Sequence, residues 1–339
     1  MNNIFDFCNI ILTRSLKNNM KNNIIYYSVG ALMYCPANRK SIASSLIQNK
    51  FEEKFSLALC LEDTINDNFV LEAEAQLVKS LQEIYIANQS TPLALPNIFI
   101  RVREHQQIER LFDNLGICSE LIKGIIVPKF SLDNADLYID SLIRLNSKLN
   151  KPMYLMPIYE SANIIDKRYR YNNLYQLKDK LDDIEELVLN VRVGGNDLCH
   201  LFGFRRGVDE SIHSIKPISD IFTDIMTVYG QNYVVSGPVW EYYSGTDWDK
   251  GLRNEIKEDI LCGFIGKTVI HPNQITVVNE SYKVTRKNYD DAISILNWDS
   301  KNPNLVIGNS TKERMNEYKT HFNWAEKTKL LAEYYGIIE

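Results

Sequence analysis

The sequence predicts an α/β fold, a (β/α)8 TIM barrel with additional C-terminal helices. Short apolar runs alternate with longer helical patterns, and their centres lie roughly 25–45 residues apart, the length of a strand–loop–helix–loop unit. The runs are continuous in apolar residues, as in parallel strands that are buried on both faces. Eight such units in series favour a barrel. An open doubly wound sheet is the main alternative, and the lack of a Gly-x-Gly-x-x-Gly motif after the first strand counts against it.

The strands and helices of the predicted barrel follow from the apolar patterns. The predicted strands are Ala31–Cys35, Leu57–Leu61, Asn97–Val102, Gly124–Lys129, Met153–Tyr159, Leu187–Val193, Asn232–Ser236 and Gly263–Ile270. Between them, apolar residues recur near the helical period. The predicted helices are Lys40–Lys50, Phe69–Asn88, Ile108–Leu115, Ala135–Leu149, Leu174–Leu181, Ile218–Tyr229 and Trp248–Leu261.

The pattern changes after the eighth strand. Gln274–Asn297 is predicted to be a helix, Asp299–Gly308 a loop and Thr311–Tyr335 a second, amphipathic helix. A barrel does not need these helices for closure, so we expect them to pack on the barrel or on a neighbouring subunit. The predicted domains are an N-terminal extension (1–27), the TIM barrel (28–280) and a C-terminal helical extension (281–339).

The composition is that of an ordinary globular protein with ample length for a large core. The chain has 339 residues, of which 45% are hydrophobic and 24% charged, with a net charge of −5 and a pI of about 5.7. The sequence has no basic run or nucleic-acid-binding motif, and no stretch approaches the ~20 apolar residues of a membrane helix. We therefore expect neither nucleic acid nor a membrane as a partner.

Cysteine use and the N-terminus favour a cytoplasmic location. The six cysteines are scattered without a Cys-x-x-Cys pair, and Cys60 lies in an apolar run, as a reduced core cysteine would. The start of the chain has a short apolar patch with no basic residue before it, which makes a poor signal peptide. We predict an N-terminal helix or a frayed extension there.

Two carboxylates follow predicted strands that are one βα unit apart. Glu160 comes directly after Met-Pro-Ile-Tyr, and Asp197 follows Val-Arg-Val-Gly-Gly-Asn. Residues just past the carboxyl end of a barrel strand lie where such barrels keep their chemistry. Taken alone, either acid is equally well explained as a cap of the next helix. Together they predict a site for one Mg²⁺ ion, which often takes only one or two protein carboxylates.

Polar and charged residues also follow the first two strands. Asn38 and Arg39 are predicted at the start of the first helix, where backbone N–H groups favour anions, although a capping Asn and a solvated Arg would explain them equally well. Glu62 and Asp63 are adjacent carboxylates, which need a cation or hydrogen bonds at a strand end. We expect one of the two to serve the site and the other to cap a helix.

The third and fourth strands end in basic residues. Strand alternation places Arg101 and Arg103 on one face, opposite the neighbouring apolar residues. An Arg in a barrel mouth needs an anionic partner, and its planar fork matches a carboxylate, so we assign Arg101 to the site and Arg103 to solvent. Lys129 could be a Schiff-base nucleophile, a carboxylate partner or an exposed cation, and nearby carboxylates favour a supporting ion pair.

Glycines, a histidine and two further arginines lie at or after the ends of the later predicted strands. Gly194 and Gly195 let the backbone approach a ligand closely and present bare N–H groups. His271 lies beside a proline, where a lone histidine is more often structural than catalytic, and we take it as structural. Arg205 and Arg206 could form a phosphate-binding mouth, although a solvated loop is the commoner explanation.

Taken in order, these motifs resemble those of the citrate lyase β-subunit family, within the larger group of HpcH/HpaI-type aldolases and malyl-CoA lyases. The motifs are Pro-x-Asn-Arg, Leu-Glu-Asp, Ile-Arg-Val, Val-Pro-Lys, the Glu after the fifth strand, Gly-Gly-x-Asp-Leu and Gly-Phe-x-Gly-Lys-x-x-Ile-His-Pro-x-Gln. The resemblance runs from about Gly30 to Asn279, and Gly263–Gln274 is its most diagnostic part.

The resemblance implies a Mg²⁺-dependent carbon–carbon bond lyase that cleaves or forms 3-hydroxyacyl thioesters with a small 2-oxo acid such as oxaloacetate, glyoxylate or pyruvate. It implies Glu160 and Asp197 as metal ligands and Arg101 as the residue that holds the oxo acid and stabilises enolate charge. Glu62 and Asp63 would orient metal-bound waters. The other candidate substrate-binding residues are Gly194, Gly195, Asn38, Arg39 and Lys129. The chemistry agrees, because a Lewis acid and an Arg stabilise the enolate that carbon–carbon cleavage leaves.

The chain departs from the family pattern at several positions. It has Pro-Ala-Asn where Pro-Gly-Asn is usual, Glu-Ser where Glu-Thr is common and Arg103 where Asn is common. The aromatic loop Gly237–Gly245, with Trp240–Tyr243 at its centre, resembles a divergent lyase-like branch found beside bacterial stress and tellurite-resistance genes. These changes bear on the thioester substrate more than on the metal site.

Two other functions stay open at the level of sequence. A thioester hydrolase could use the same site to release CoA or a carrier, and a barrel could bind a metabolite without turnover. Retention of Glu160, Asp197 and Arg101 argues against the second alternative. The acyl carrier could be CoA, a carrier protein or absent. The resemblance and the extra C-terminal helices predict a homotrimer or a hexamer.

Overall fold

The computed structural model describes residues 23–299 and 301–339. The described residues form two compact units, one of residues 28–282 and one of residues 23–27 with 283–339. The predicted N-terminal helix or extension lies, as far as residue 22, outside the described residues. The division into three domains stays a prediction.

The larger unit is a nearly closed barrel of eight parallel strands. The strands are β1 (Ala31–Pro36), β2 (Ser56–Cys60), β3 (Asn97–Arg101), β4 (Ile122–Val127), β5 (Tyr154–Tyr159), β6 (Val191–Val193), β7 (Val235–Ser236) and β8 (Lys267–Val269). Their order is β7–β6–β5–β4–β3–β2–β1–β8, and every neighbouring pair is parallel. A parallel bridge between Gly237 and Lys267 brings the two edges together. The predicted TIM barrel is therefore confirmed, and the open doubly wound sheet is excluded.

Helices connect successive strands. They are α1 (Ile42–Ile47), α2 (Val70–Ser90), α3 (His105–Leu115), α4 (Ala135–Asn146), α5 (Lys167–Asp182), α6 (Gly195–Phe202), α7 (Lys216–Tyr229), α8 (Trp248–Leu261) and, after β8, α9 (Asn273–Ser281). Short 3-10 turns in this unit are Asp67–Phe69, Gly116–Leu121, Ala162–Ile164, Glu185–Leu187 and Ile212–Ser214. None of the described helices is both long enough and apolar enough to cross a membrane.

Local capping explains where two helices depart from the apolar pattern. The helix α5 begins well before its first predicted residue, Leu174, because the side chain of Asp166 accepts a hydrogen bond from the N–H of Arg168. The pattern does not predict α6, since its first residue is a glycine, a poor helix former. This helix ends at Gly203, whose φ of 70° suits a glycine, and it carries Asp197 in its first turn.

The smaller unit contains the additional C-terminal helices that the sequence predicts. Its elements are a 3-10 turn (Ile24–Tyr26), β9 (Val284–Thr285), α10 (Arg286–Leu296), β10 (Val306–Gly308), β11 (Met315–Glu317), α11 (Tyr318–Tyr335) and β12 (Ile337–Ile338). The strands β10 and β11 pair antiparallel, whereas β9 and β12 pair parallel.

Two predicted boundaries in the C-terminal segment are wrong. The predicted helix Gln274–Asn297 is two helices, α9 and α10. The chain is extended between them because the N–H of Val284 donates to Gly336 and Thr285 caps α10. The last helix begins at Tyr318 rather than Thr311, since the residues before it form the hairpin of β10 and β11.

Candidate active site

A cavity of about 560 Å³ opens at the carboxyl ends of the barrel strands. Of the predicted site residues, those that line it are Asp63, Arg101, Glu160, Gly194, Gly195 and Asp197. Arg101 is the last residue of β3, and Glu160 directly follows β5. Parallel strands meet at one end of a barrel, so residues far apart in sequence converge here.

Arg101 is the centre of a cluster of three carboxylates, of which Glu62 and Glu160 are buried and Asp63 is exposed. Its Nη2 atom lies 2.9 Å from Oε2 of Glu62 and 2.9 Å from Oδ2 of Asp63. The same atom lies 3.2 Å from Oε1 of Glu160. Burial acts to lower the pKa of Arg101, but the neighbouring Tyr34, Glu160 and Glu62 outweigh it, so its pKa is raised well above the usual value. Arg101 is therefore a permanent cation in the cavity wall.

Lys129 supports this cluster from the next strand. Its Nζ atom lies 2.7 Å from Oε1 of Glu62 and 3.4 Å from Oδ1 of Asp63. Its backbone, with a φ of 50°, directs the N–H to Oε1 of Glu160 at 3.0 Å. Partial burial acts to lower the pKa of Lys129, but the hydrogen bond to Glu62 and the acidic charges raise it overall. A protonated amine is not the form a Schiff-base nucleophile needs, so the ion-pair interpretation fits the geometry.

Glu62 and Asp63 differ in environment although they are neighbours. Burial raises the pKa of Glu62, and its hydrogen bond with Asp63 adds to the rise. Burial also acts to raise the pKa of Asp63, but the hydrogen bond with Glu62 and the charges of Arg101 and Lys129 lower it overall. Only Asp63 of the two lines the cavity, while Glu62 lies behind it against Arg101 and Lys129.

Glu160 is the most deeply buried of the acids that line the cavity, with 4% of its surface exposed. Burial raises its pKa to about 8, Arg101 opposes that rise and the charge of Asp197 adds to it. Its Oε2 atom lies against Gly194, where an added Cβ would approach to 2.1 Å. Close packing with the β6–α6 turn thus fixes this carboxylate in the cavity wall.

The residues present fit a magnesium ion. Glu160 and Asp197 both line the cavity and offer hard carboxylate oxygens, which Mg²⁺ prefers. The raised pKa of Glu160 indicates a carboxylate whose ionised form would be stabilised by a nearby divalent cation. The described part of the chain contains no group of three or more His, Cys, Asp and Glu side chains arranged to hold a metal. The assignment of these two acids as metal ligands stays a prediction.

Three predicted binding residues, Asn38, Arg39 and Lys129, do not line this cavity. Asn38 and Arg39 are exposed, and α1 begins only at Ile42, so neither residue lies in the first turn of that helix. The N–H of Arg39 donates to the carbonyl of Pro36 at 3.0 Å, and its Nε donates to Ser41 at 3.3 Å. Their role in binding stays a prediction.

Sequence reasoning missed several residues of the cavity wall. The most buried of them is Arg192, the central residue of β6. Strand alternation between Val191 and Val193 carries the same signal that points to Arg101, and it was available in the sequence. The other missed lining residues with polar side chains are Tyr34, Thr64, Asn196, His200, Glu241 and Thr268.

The aromatic loop after β7 forms one side of the cavity mouth. Glu241 accepts a hydrogen bond from Asn196 at 3.1 Å and lies 3.4 Å from Nε of Arg205. The carbonyls of Trp240 and Tyr242 accept hydrogen bonds from the amide of Gln274 at 2.9 and 2.8 Å. Gln274, in the diagnostic motif, therefore holds the loop in place.

The same motif supplies a buried ion network beside β8. Lys267 is fully buried, with its Nζ atom 3.0 Å from Oε1 of Glu255 and 2.6 Å from Oδ2 of Asp259. Arg206, expected in a solvated loop or a mouth, is instead buried, and its Nε lies 3.1 Å from Glu255. His213 contacts Asp259 at 2.7 Å. The network positions α8 against the barrel rather than lining the cavity.

Comparison with known proteins places these features in a family. Residues 23–337 match the family described as C–C bond lyase of the TIM-barrel fold. No curated protein was found to match the sequence. CitE from Mycobacterium tuberculosis, in complex with magnesium, acetoacetate and coenzyme A, is a similar structure with a TM-score of 0.60 and 15% identity, covering 90% of this chain and 98% of that chain.

Two further solved structures are similar over most of the barrel. RipC from Yersinia pestis has a TM-score of 0.52 and 16% identity, covering 77% of this chain and 97% of that chain. The citrate lyase β subunit from M. tuberculosis, complexed with oxaloacetate and magnesium, has a TM-score of 0.50 and 17% identity, covering 76% of this chain and 98% of that chain. At these identities the likeness shows the fold alone.

The family match spans nearly the whole described chain and agrees with the resemblance of the strand-end motifs. The narrower branch suggested by the aromatic loop stays a prediction. This chain belongs to the family of C–C bond lyases of the TIM-barrel fold.

Proposed function

We propose that this protein is a Mg²⁺-dependent carbon–carbon bond lyase that cleaves or forms a 3-hydroxyacyl thioester with a small 2-oxo acid. The observation that carries the proposal is the placement of Arg101, Glu160 and Asp197 around one cavity at the carboxyl ends of the strands. Family membership supports the reaction class. Similar structures that contain magnesium with acetoacetate and coenzyme A, or with oxaloacetate, support the cofactor and the kind of substrate.

Glu160 and Asp197 would hold the ion, as their shared cavity suggests. When bound, Mg²⁺ would supply Lewis-acid polarisation of the 2-oxo group. Glu62 and Asp63 position Arg101 through their ion pairs and would orient water near the metal. Lys129 limits the electrostatic repulsion between these acids, because its Nζ contacts both of them.

Arg101 would bind the carboxylate of the oxo acid. Its guanidinium lines the cavity as a fixed cation and is held in place by ion pairs with Glu62, Asp63 and Glu160. In the cleavage direction the substrate hydroxyl gives its proton to water and becomes the 2-oxo group, while the carbon–carbon bond breaks and its electron pair forms the thioester enolate. The enolate then takes up one proton from water to give the acyl thioester. A fixed guanidinium beside that charge stabilises it without reorganisation.

CoA or an acyl-carrier thioester is the proposed acyl partner, and the complex of CitE with coenzyme A supports the first choice. Gly194 and Gly195 both line the cavity. The N–H of Gly194 donates to the carbonyl of Tyr159 at 3.1 Å, so the N–H of Gly195 would be the one offered to the bound acid. We also propose a homotrimer or hexamer, and a monomer by light scattering at micromolar concentration would contradict it. The cytoplasmic location stays a prediction.

Titration of Mg²⁺ by calorimetry tests the metal site. Asp197→Ala should weaken Mg²⁺ binding tenfold or more. Even the loss of a residue that only hydrogen-bonds to a metal ligand lowers metal affinity about 10–100-fold. The matched control is Asp133→Ala, which removes an exposed carboxylate outside the cavity and should leave the affinity unchanged. Equal Mg²⁺ affinity in wild type and Asp197→Ala would exclude this site.

A further inference from the structure

A tyrosine lies beside Arg101 in the wall of the same cavity. Tyr34 belongs to β1 and lines the cavity together with Arg101, the last residue of β3. In a TIM barrel, alternate strands such as β1 and β3 contribute side chains to one layer of the interior. The guanidinium carbon of Arg101 accordingly lies 5.6 Å from the centre of the Tyr34 ring. A small ligand that reaches Arg101 from the cavity therefore also comes close to Tyr34.

The hydroxyl of Tyr34 is available as a hydrogen-bond donor. Tyr34 is partly exposed, and its hydroxyl makes no hydrogen bond to another residue in the part of the chain that the structure describes. By contrast, the hydroxyl of Tyr159, on β5, is paired with that of Tyr229. A tyrosine hydroxyl inside a protein usually has a partner. The position of Tyr34 in the cavity wall points to a ligand as that partner.

The Tyr34 hydroxyl keeps its proton at neutral pH. Burial raises the pKa of Tyr34, although the charges of Arg101 and Arg192 act against that rise. A protonated phenol donates a hydrogen bond without bringing a charge of its own. Tyr34 therefore offers a neutral donor next to the fixed cation of Arg101, and an anionic oxygen can accept from both.

The ion pairs of Arg101 are gathered on one of its nitrogen atoms. Glu62, Asp63 and Glu160 all contact Nη2. The acceptor at Nη1 is instead the Sγ atom of Cys60, at 3.9 Å. A thiol sulfur is a weak acceptor, whereas a carboxylate forms a short, charge-assisted hydrogen bond with a guanidinium. The carboxylate of a ligand would therefore be a stronger partner for Nη1 than the thiol is.

We propose that Tyr34 binds the 2-oxo acid together with Arg101, its hydroxyl donating a hydrogen bond to the carboxylate that the guanidinium holds. This inference rests on the proposed function and adds a binding residue and an orientation of the acid to it. The carboxylate of the acid then lies against β1 and β3, and its oxo group points towards Glu160 and Asp197.

Titration of pyruvate by calorimetry in the presence of Mg²⁺ tests this proposal. Tyr34→Phe removes the hydroxyl but keeps the ring, so the contact of the ring with Arg101 remains. The variant should bind pyruvate about tenfold more weakly than wild type, the scale of one hydrogen bond to a charged group. Its affinity for Mg²⁺ should be unchanged, because the hydroxyl bonds to neither of the proposed ligands, Glu160 and Asp197.

Tyr154→Phe is the matched control. Tyr154 is also a partly exposed tyrosine of a barrel strand, and the Nζ atom of Lys123 lies 5.5 Å from the centre of its ring. It is the first residue of β5, at the end of the strand opposite the cavity, and does not line the cavity. The same loss of a hydroxyl beside a cation should therefore leave pyruvate affinity at the wild-type value.

The outcomes separate this inference from the proposed function. Unchanged pyruvate affinity in Tyr34→Phe, with binding that depends on Mg²⁺, would overturn the role of Tyr34 and leave the proposed function standing. An equal loss in Tyr154→Phe, or a loss of Mg²⁺ affinity in Tyr34→Phe as large as that of pyruvate affinity, would show a structural effect and overturn the inference as well. Wild type that binds no pyruvate in the presence of Mg²⁺ would overturn both.

Discussion

Gly194 lies so close to Glu160 that only a glycine fits between β6 and this carboxylate. A Cβ on residue 194 would lie 2.1 Å from Oε2 and 2.4 Å from Cβ of Glu160. The glycine therefore determines where the buried acid lies. This role is distinct from offering a backbone N–H to the substrate, since the N–H of Gly194 donates to the carbonyl of Tyr159.

The contact predicts the effect of Gly194→Ala. The added methyl group should displace Glu160 from the cavity wall and weaken Mg²⁺ binding tenfold or more, measured by calorimetry. Gly308→Ala is the control, since a Cβ there would meet no heavy atom of the described residues within 4 Å. An unchanged Mg²⁺ affinity in Gly194→Ala would show that Glu160 is not a ligand or that the site adjusts without cost.

The raised pKa of Glu160 predicts how stability depends on pH when Mg²⁺ is chelated. Burial raises this pKa from 4.5 to about 8, so between these values the folded chain keeps a proton that the unfolded chain releases. The free energy of unfolding should therefore fall as pH rises through that window, by up to about 1.4 kcal/mol per pH unit. Urea denaturation at pH 5 and pH 8 measures the difference.

Glu160→Gln cannot ionise, and its free energy of unfolding should change less between the two pH values. The same pH dependence in this variant and in wild type would assign the effect to other groups.

Substitution of Lys267 should lower the stability of the protein strongly. Lys267→Met would leave Glu255 and Asp259 buried without their shared cation, which costs about 3–5 kcal/mol. In the control Lys148→Met, the lost ion pair to Glu109 is exposed, with the lysine side chain 56% exposed, and should cost about 1 kcal/mol or less. Similar midpoints in urea for both variants would contradict a stabilising role for the buried network.

Replacing Arg101 by lysine should weaken oxo-acid binding even though the positive charge is kept. Arg101→Lys keeps the positive charge but loses the two-point fork, and should weaken pyruvate binding by roughly 2 kcal/mol or more. Mg²⁺ binding should stay nearly intact, because the proposed ligands are Glu160 and Asp197. If this variant binds pyruvate, glyoxylate and oxaloacetate as well as wild type does, Arg101 is structural.

The barrel could be predicted because its strands are buried on both faces and read as apolar runs. The strands with the strongest runs, such as β2 and β5, lie within a residue or two of their predicted bounds. The apolar runs at β6 and β7 begin several residues before the residues that pair with neighbouring strands. Hydrogen-bond pairing sets the bounds of these strands, and an apolar pattern does not reveal that pairing. The break between α9 and α10 depends on pairing with β12, near the end of the chain.

The cluster around Arg101 could be predicted in outline because strand ends in a barrel converge. Its detailed pairing could not, since the sequence does not say which of Glu62 and Asp63 faces the cavity. The burial of Arg206 could not be predicted for a similar reason. Its partner Glu255 lies on a separate helix, and the local sequence suggests only a solvated loop. Arg192 is different, since strand alternation was sufficient to identify it.

The most direct test of the account is the titration of pyruvate into the wild-type protein with Mg²⁺ and, separately, with a chelator. We predict binding with Mg²⁺ and at least a tenfold loss of affinity without it, because the acid would bind between Arg101 and a metal held by Glu160 and Asp197. Equal affinity for pyruvate in both conditions, or no binding in either, would contradict it.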